Sequence, residues 1–277
     1  MFRESVFVLL LLAAFVSLVP LNSEDHSKYP RPLTELEKDK FIVGGSTAIL
    51  GQFPYQVALR TAAGTFFCGG VIISNSWVIS AAFCTINRSN PTTFRVVVGT
   101  INSGSGGIVF SLNRVVNHPQ YNANDVSNDV SLIQVQGTFT FSGAVNQVSL
   151  GSAFIGANVN GFVAGWGATA AGGQPVTTLR WFQAVTITNE NCRQRFLDMG
   201  QLFAFLAVHD HKICTFTRNG TQSKILGFCQ EDRGGGFVTN NVLHAVVSWN
   251  IPCGRASPDL YDRISWHRIW ITSVTGL

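Results

Sequence analysis

The chain has 277 residues, of which 46% are hydrophobic and only 12% charged, so it can bury a sizeable core and is not intrinsically disordered. Its 27 glycines and many short runs of Val, Ile and Phe predict an all-β protein with tight turns. The formal net charge is +4, but the basic residues are scattered along the sequence, so no nucleic-acid partner is expected.

The N-terminus has the pattern of a secretory signal peptide. Arg3 supplies a positive charge, an apolar run extends from Val6 to Val19, and polar residues follow up to Ser23. This run is too short for a transmembrane helix, which needs about 20 residues. We therefore predict a signal peptide at 1–23, a secreted, extracellular protein and no membrane span.

Residues 24–41 differ in composition from the remainder. They contain nine charged residues and two prolines but few apolar ones, which is typical of a propeptide or linker. From Ile42 onward, short β-prone runs alternate with Gly, Asn, Ser and Pro. The predicted strands are Phe53–Leu59, Cys68–Ile73, Trp77–Ala82, Phe94–Val98, Val159–Ala164, Trp181–Ile187, Lys212–Phe216, Phe237–Val238 and Leu243–Trp249.

One helix is predicted, at the C-terminus. Trp266, Ile269, Trp270 and Val274 recur with helical spacing, which predicts that this face packs on the core.

Six cysteines in a secreted protein favour three disulfides, and the sequence leaves 15 possible pairings open. No CxxC pair is present, so a zinc cluster is not expected. Neither a metal nor another cofactor is expected.

Several segments together resemble a known family. In sequence order they read IVGG from Ile42, CGGVIISNSWVISAAFC from Cys68, NDVSLIQV from Asn128, VAGWG from Val163, CQEDRGGG from Cys229, VVSW from Val246 and YDRIS from Tyr261. They resemble the chymotrypsin/trypsin family of serine proteases in order and spacing over 42–277.

The resemblance implies two six-stranded antiparallel β-barrels, approximately 42–155 and 156–277, with a cleft between them and a C-terminal α-helix. It also implies one disulfide pattern, similar to that of insect digestive members of the family. The implied pairs are Cys68–Cys84, Cys192–Cys214 and Cys229–Cys253.

The family's catalytic residues are mostly replaced. Asp129 matches the triad carboxylate, but Phe83 stands at the imidazole position and Arg233 at the nucleophile position. A benzyl ring cannot accept a proton, and a guanidinium is a permanent cation with donors only. Glu231 stands at a glycine position of the oxyanion hole, where a carboxylate opposes developing negative charge. None of these positions is therefore expected to be catalytically functional.

Other family positions are kept or altered. Asp232 matches the acid that pairs with a new N-terminus at Ile42, Ser248 the residue that hydrogen-bonds the triad carboxylate, and Trp249 a cleft-lining residue. The specificity pocket is expected to be formed by Gly227 on its floor, Asp259 on its wall and Asn250 at its rim. Two interpretations stay open: the pocket accepts a Lys or Arg side chain, or the protein's own side chains fill it.

The activation junction also departs from the family, because Phe41 separates Lys40 from Ile42. Cleavage after Lys40 would leave one residue too many before Ile42.

Two sequons, at Asn87 and Asn219, are candidate glycosylation sites. The histidines are expected to be solvated or packed outside the cleft.

The favoured interpretation is a non-catalytic binding or regulatory protein, monomeric, whose partner is a protease, an inhibitor or a surface ligand. The alternative is a working secreted endopeptidase with chymotrypsin-like or trypsin-like specificity. A third possibility is a duplicated copy without a selected role. For Arg233, we expect a side chain that stacks over Phe83 towards Asp129, or one that turns to Glu231.

Overall fold

The structure is a computed structural model that describes residues 45–219, 224–251, 253 and 257–277. The predicted signal peptide (1–23), the predicted propeptide (24–41) and Ile42 lie outside the described residues.

The described residues form two large antiparallel sheets and a small hairpin. In sequence order the strands are β1 (Ser46–Thr47), β2 (Gln56–Thr61), β3 (Phe66–Ile72), β4 (Trp77–Ser80), β5 (Phe94–Val98), β6 (Ile108–Phe110), β7 (Leu112–Asn117), β8 (Ser131–Val135), β9 (Ser149–Leu150), β10 (Asn160–Gly165), β11 (Arg180–Ile187), β12 (Lys212–Thr215), β13 (Thr217–Asn219), β14 (Lys224–Leu226), β15 (Gly236–Thr239), β16 (Val242–Asn250) and β17 (Asp259–Arg263).

The second sheet closes into a six-stranded barrel, because β11 pairs with β10 on one side and with β12 on the other. The first sheet has the order β6-β5-β2-β3-β4-β8-β7 and is a half-barrel over the described residues, rather than the second closed barrel that was expected. Strands β1 and β9 come before residue 156 but pair with β11 and β16 of the closed barrel.

Four α-helices complete the described fold: α1 (Ala82–Thr85), α2 (Asn189–Asp198), α3 (Leu202–Leu206) and α4 (Ile264–Thr275). A short 3-10 helix follows α1 at Ile86–Arg88.

The C-terminal helix is present as α4, but the predicted core face was partly wrong. Trp270 and Val274 pack against the core, whereas Trp266 and Ile269 are 58% and 87% exposed. Ile264, His267 and Ile271 are buried instead. His267 tolerates burial because its ring lies 3.1 Å from the carboxylate of Asp262. Hydrophobic spacing alone cannot reveal a buried position that is occupied by a paired polar residue.

The three disulfides join the expected pairs, Cys68–Cys84, Cys192–Cys214 and Cys229–Cys253. The first ties β3 to α1, and thereby holds Phe83 beside the cleft. The second ties α2 to β12.

Candidate functional site

Asp129 lies just before β8, and its side chain is fully buried. Its Oδ1 accepts a hydrogen bond of 2.7 Å from the backbone N–H of Phe83. Its Oδ2 accepts a second bond of 2.7 Å, from the hydroxyl of Ser248, as the sequence predicted. Both donors are neutral, so these two bonds alone would leave the carboxylate without a counter-charge.

Lys212 supplies a positive charge nearby, but it is paired with Asp262 and offsets the burial of Asp129 only in part. Its side chain is fully buried, and Nζ donates to Ser248 Oγ at 3.2 Å, to the Val126 carbonyl and to Asp262 Oδ2. Asp262 Oδ2 also accepts the backbone N–H of Asp129 at 3.1 Å. A buried Lys212–Asp262 ion pair therefore lies directly behind Ser248 and Asp129.

Sequence reasoning missed this ion pair, although a weak signal existed. Lys212 and Asp262 lie on strands that are otherwise largely buried, and they are direct partners in the register of β12 and β17. Charged residues of opposite sign at buried positions of two strands indicate an ion pair once the strands are known to be neighbours.

Three buried histidines surround the far side of Asp262. The Nε2 atoms of His267 and His211 lie 3.1 and 3.7 Å from Asp262 Oδ1, and the rings of His118 and His267 are 5.0 Å apart. Burial lowers the pKa of both His118 and His211 to about 4. They are therefore neutral near pH 7, and both rings are buried beside that of His267, as expected for packed histidines.

Phe83 and Arg233 contact each other. The central carbon of the Arg233 guanidinium lies 3.9 Å from the centroid of the Phe83 ring, a cation–π contact, and the Phe83 side chain is 51% exposed. The expected stacking is therefore present. The expected ion pair with Asp129 or Glu231 is not, since no carboxylate of the described residues lies within 4.0 Å of the guanidinium.

Glu231 stands at the predicted oxyanion position, and its side chain is partly buried. Its backbone has a φ of +68°, a left-handed conformation that favours glycine, the residue found in the family at this position. Its Oε2 is buried and has no hydrogen-bond partner among the described residues. Burial raises the pKa of Glu231.

Asp232 is buried against the end of β10. Its carboxylate accepts backbone N–H groups from Gly167 at 2.6 Å and from Cys229 at 2.9 Å. A Cβ at Gly165 would lie only 2.0 Å from Asp232 Oδ1, so glycine is required there. Burial raises the pKa of Asp232 to about 7. Pairing of Asp232 with a new N-terminus at Ile42 stays a prediction, because Ile42 lies outside the described residues.

The predicted pocket residues Gly227, Asn250 and Asp259 lie together. Asp259 Oδ2 accepts the backbone N–H of Phe228 at 3.0 Å, and a Cβ at Gly227 would approach that oxygen to 2.8 Å. Asn250 Nδ2 donates to the Phe228 carbonyl at 2.6 Å and lies 3.4 Å from Asp259 Oδ1. Burial raises the pKa of Asp259 well above its usual range. These contacts favour a pocket filled by the protein's own side chains.

Replacing Asn250 with Gly should open this pocket. The variant Asn250→Gly loses the amide that bridges Phe228 and Asp259, and benzamidine, an aromatic amidinium, should then bind about tenfold more tightly than to the wild type. Isothermal titration calorimetry measures this. Adding Asp259→Asn should remove the gain. Equal affinity of the wild type and Asn250→Gly would show that Asn250 does not block the pocket.

The remaining predicted site residues lie at the surface or along the cleft. Trp249 follows Ser248 in β16, and its ring meets Phe203 of α3 edge-on at 5.5 Å. Asn87 is exposed in the 3-10 helix, and the side chain of Asn219 lies outside the described part of the protein.

Within the described ranges, no cluster of three or more His, Cys, Asp or Glu residues could hold a metal, and no helix is long and apolar enough to cross a membrane.

Comparison with known proteins gives consistent matches. A family model described as Trypsin matches residues 42–271. Trypsin 5G1 of Aedes aegypti is 30% identical over 275 residues, which span 98% of this chain and 99% of that protein. Trypsin, alkaline B, of Manduca sexta is 34% identical over 242 residues, spanning 83% and 89% of the two proteins.

Solved structures of similar fold include human heparin binding protein, with a TM-score of 0.70 and 27% identity over 84% of this chain and 96% of that protein. A structure titled HL collagenase has a TM-score of 0.69 and 26% identity over 85% of this chain and 99% of that protein. This similarity confirms the expected chymotrypsin-like fold, here with a closed six-stranded barrel, a half-barrel and helix α4.

Proposed function

Because this chain belongs to the trypsin family of serine proteases, we propose that it is a secreted, non-catalytic member that acts as a binding or regulatory protein. The observation that carries this proposal is the contact between Arg233 and Phe83. In an active member, these two positions hold the nucleophile and the base that takes its proton. Here they hold a permanent cation and the aromatic ring on which it stacks.

No step of acyl transfer can start from this pair. The guanidinium has no lone pair available for attack, and the ring cannot accept a proton. Asp129 retains its hydrogen bond from Ser248, but it has no imidazole to orient. Glu231 adds a carboxyl group where an oxyanion would form.

Secretion is part of the same proposal, because three disulfides persist in an oxidising compartment. The three-bridge pattern also supports an insect-digestive type of scaffold. One structure of this fold is titled heparin binding protein, a name that refers to what it binds rather than to a bond it cleaves.

The competing function is a working endopeptidase, and the names of the similar trypsins favour it. Phe83 and Arg233 distinguish the two hypotheses, since an active enzyme would need a substitute base and nucleophile in the cleft. Five of the histidines lie in the described residues. Among these, His118, His211 and His267 are buried beside one another.

The test is a turnover assay on protein cut to begin at Ile42. Peptides with aromatic, aliphatic or basic residues before the bond should not be cleaved, because loss of triad members lowers the rate on the order of 10⁶-fold. Active trypsin, diluted about 10⁶-fold, is assayed in parallel to show that such a low rate would be detected. A serine-directed phosphonate should not label the protein. Stoichiometric labelling in the cleft would contradict the proposal.

A further inference from the structure

The Arg233 guanidinium is a cation without a direct partner in the described part of the protein. It makes no hydrogen bond or ion pair there, and its contact is with the ring of Phe83. The side chain is half-buried, so part of its hydration is lost. A guanidinium has five N–H donors in one plane. The ring covers one face of the group, and the donors at its edge make no hydrogen bond within the described residues.

The residue and its aromatic platform are held in place by the backbone. The Arg233 carbonyl accepts the N–H of Gly69 at 2.8 Å, while the N–H of Phe83 is bound to Asp129. The Cys68–Cys84 disulfide anchors the residue next to Phe83. A donor group carried on such fixed elements is preorganised for binding.

The acids around Arg233 act on its guanidinium through longer-range electrostatics, without an ion pair. Asp129 faces the N–H of Phe83 and the Ser248 hydroxyl, with Lys212 behind them. Glu231 Oε2 is buried, and neither acid lies within ion-pair distance of Arg233. Burial raises the pKa of Tyr121, which also faces this group, so its phenol stays neutral. A ligand anion would therefore be the first direct partner of the guanidinium.

On the basis of the proposed function, we propose that Arg233 makes the cleft a binding site for peptides that present a carboxylate. Arginine binds carboxylates in a bidentate manner, and one carboxylate matches one guanidinium. A doubly charged phosphate would be repelled more strongly by Asp129 and Glu231. The half-exposed Phe83 ring and the Trp249–Phe203 pair offer apolar contacts to a peptide in the cleft. The carboxylate belongs to the C-terminal residue of the peptide or to an Asp or Glu side chain.

The experiment compares matched peptides by calorimetry on the full-length protein. The first pair is acetyl-Ala-Ala-Pro-Phe with a free carboxylate and with an amide. The second pair is acetyl-Ala-Glu-Pro-Phe-amide and its Gln counterpart. In one pair, the acid should bind the wild type at least about tenfold more tightly than its neutral partner, the gain of one charge-assisted bidentate bond. The pair that discriminates identifies the source of the carboxylate.

Variants assign the effect to Arg233. Arg233→Met should abolish the preference for the acid, whereas Arg114→Met, which removes an equal charge on another surface, should keep it. Arg233→Lys should keep part of the preference, which rules out a loss caused by misfolding. The preference should also increase as the pH falls from about 8 to about 5.5, because the pKa of Asp129 is raised to about 6 while a peptide carboxylate stays ionised.

The bound peptide is then recovered and its mass measured. Intact peptide with equal affinity for acid and amide in both pairs, or no binding of either, overturns the carboxylate site and leaves the proposed function standing. A preference that survives Arg233→Met also overturns the site. Cleaved peptide overturns the proposed function instead.

Discussion

Replacing Lys212 with Met should lower the free energy of unfolding by about 3–5 kcal/mol, the loss typical of a buried ion pair that is broken on one side. Lys212 is the cation bound directly to Asp262 and to Ser248 beneath Asp129. Without it, two buried carboxylates would share a region in which His118 and His211 are neutral near pH 7. Urea unfolding, followed by tryptophan fluorescence, measures the loss.

The matched control is the double variant Lys212→Met/Asp262→Asn, which removes both charges together. It should recover a large part of the lost stability, because replacing a complete buried pair is often nearly neutral. Asn at 262 can still accept the N–H of Asp129, which limits other damage. If the single and double variants are equally destabilised, or Lys212→Met costs less than about 1 kcal/mol, Lys212 is not the counter-ion of this network.

Much of the fold could be predicted because family motifs carry long-range information that local patterns lack. The resemblance to the family implied the three disulfides that are present, whereas the cysteine count alone left 15 pairings open. Local patterns were weaker. The apolar spacing in α4 selected Trp266 and Ile269, which are exposed, and overlooked His267, whose burial depends on Asp262.

In the candidate site, too, family motifs predicted more than local sequence patterns did. Phe83, Glu231 and Arg233 were identified from their places in motifs. The resemblance also places the positions of Phe83 and Arg233 beside each other, which predicted their contact. The ion pair of Lys212 and Asp262 was not predicted, because it depends on the register of two strands about 50 positions apart in sequence. Whether Asn250 filled the pocket was likewise left open, since its hydrogen bond to the Phe228 carbonyl depends on backbone geometry.

Asp129 should make the protein less stable as the pH rises from about 4 to about 6. Burial raises its pKa to about 6, partly offset by Lys212, so the folded state binds a proton that the unfolded state releases near pH 4. The stabilising effect of that proton is complete below the unfolded pKa and is lost as the pH passes the folded pKa. A difference of about two pKa units corresponds to about 3 kcal/mol. Lys212 cannot cancel this effect, because it is already paired with Asp262, whose pKa lies well below its usual range.

Asp129→Asn tests this directly, because the amide keeps an acceptor for the Phe83 N–H but cannot titrate. Relative to wild type, the variant should gain about 3 kcal/mol in free energy of unfolding when the pH is raised from about 4 to about 8. Asp232 and Asp259, whose pKa values are also raised by burial, titrate in both proteins, so their effects cancel in the difference. Urea unfolding across this range measures the gain. A stability difference that does not change with pH would mean that Asp129 keeps an ordinary pKa, and that Lys212 and Ser248 together stabilise its charge as well as water does.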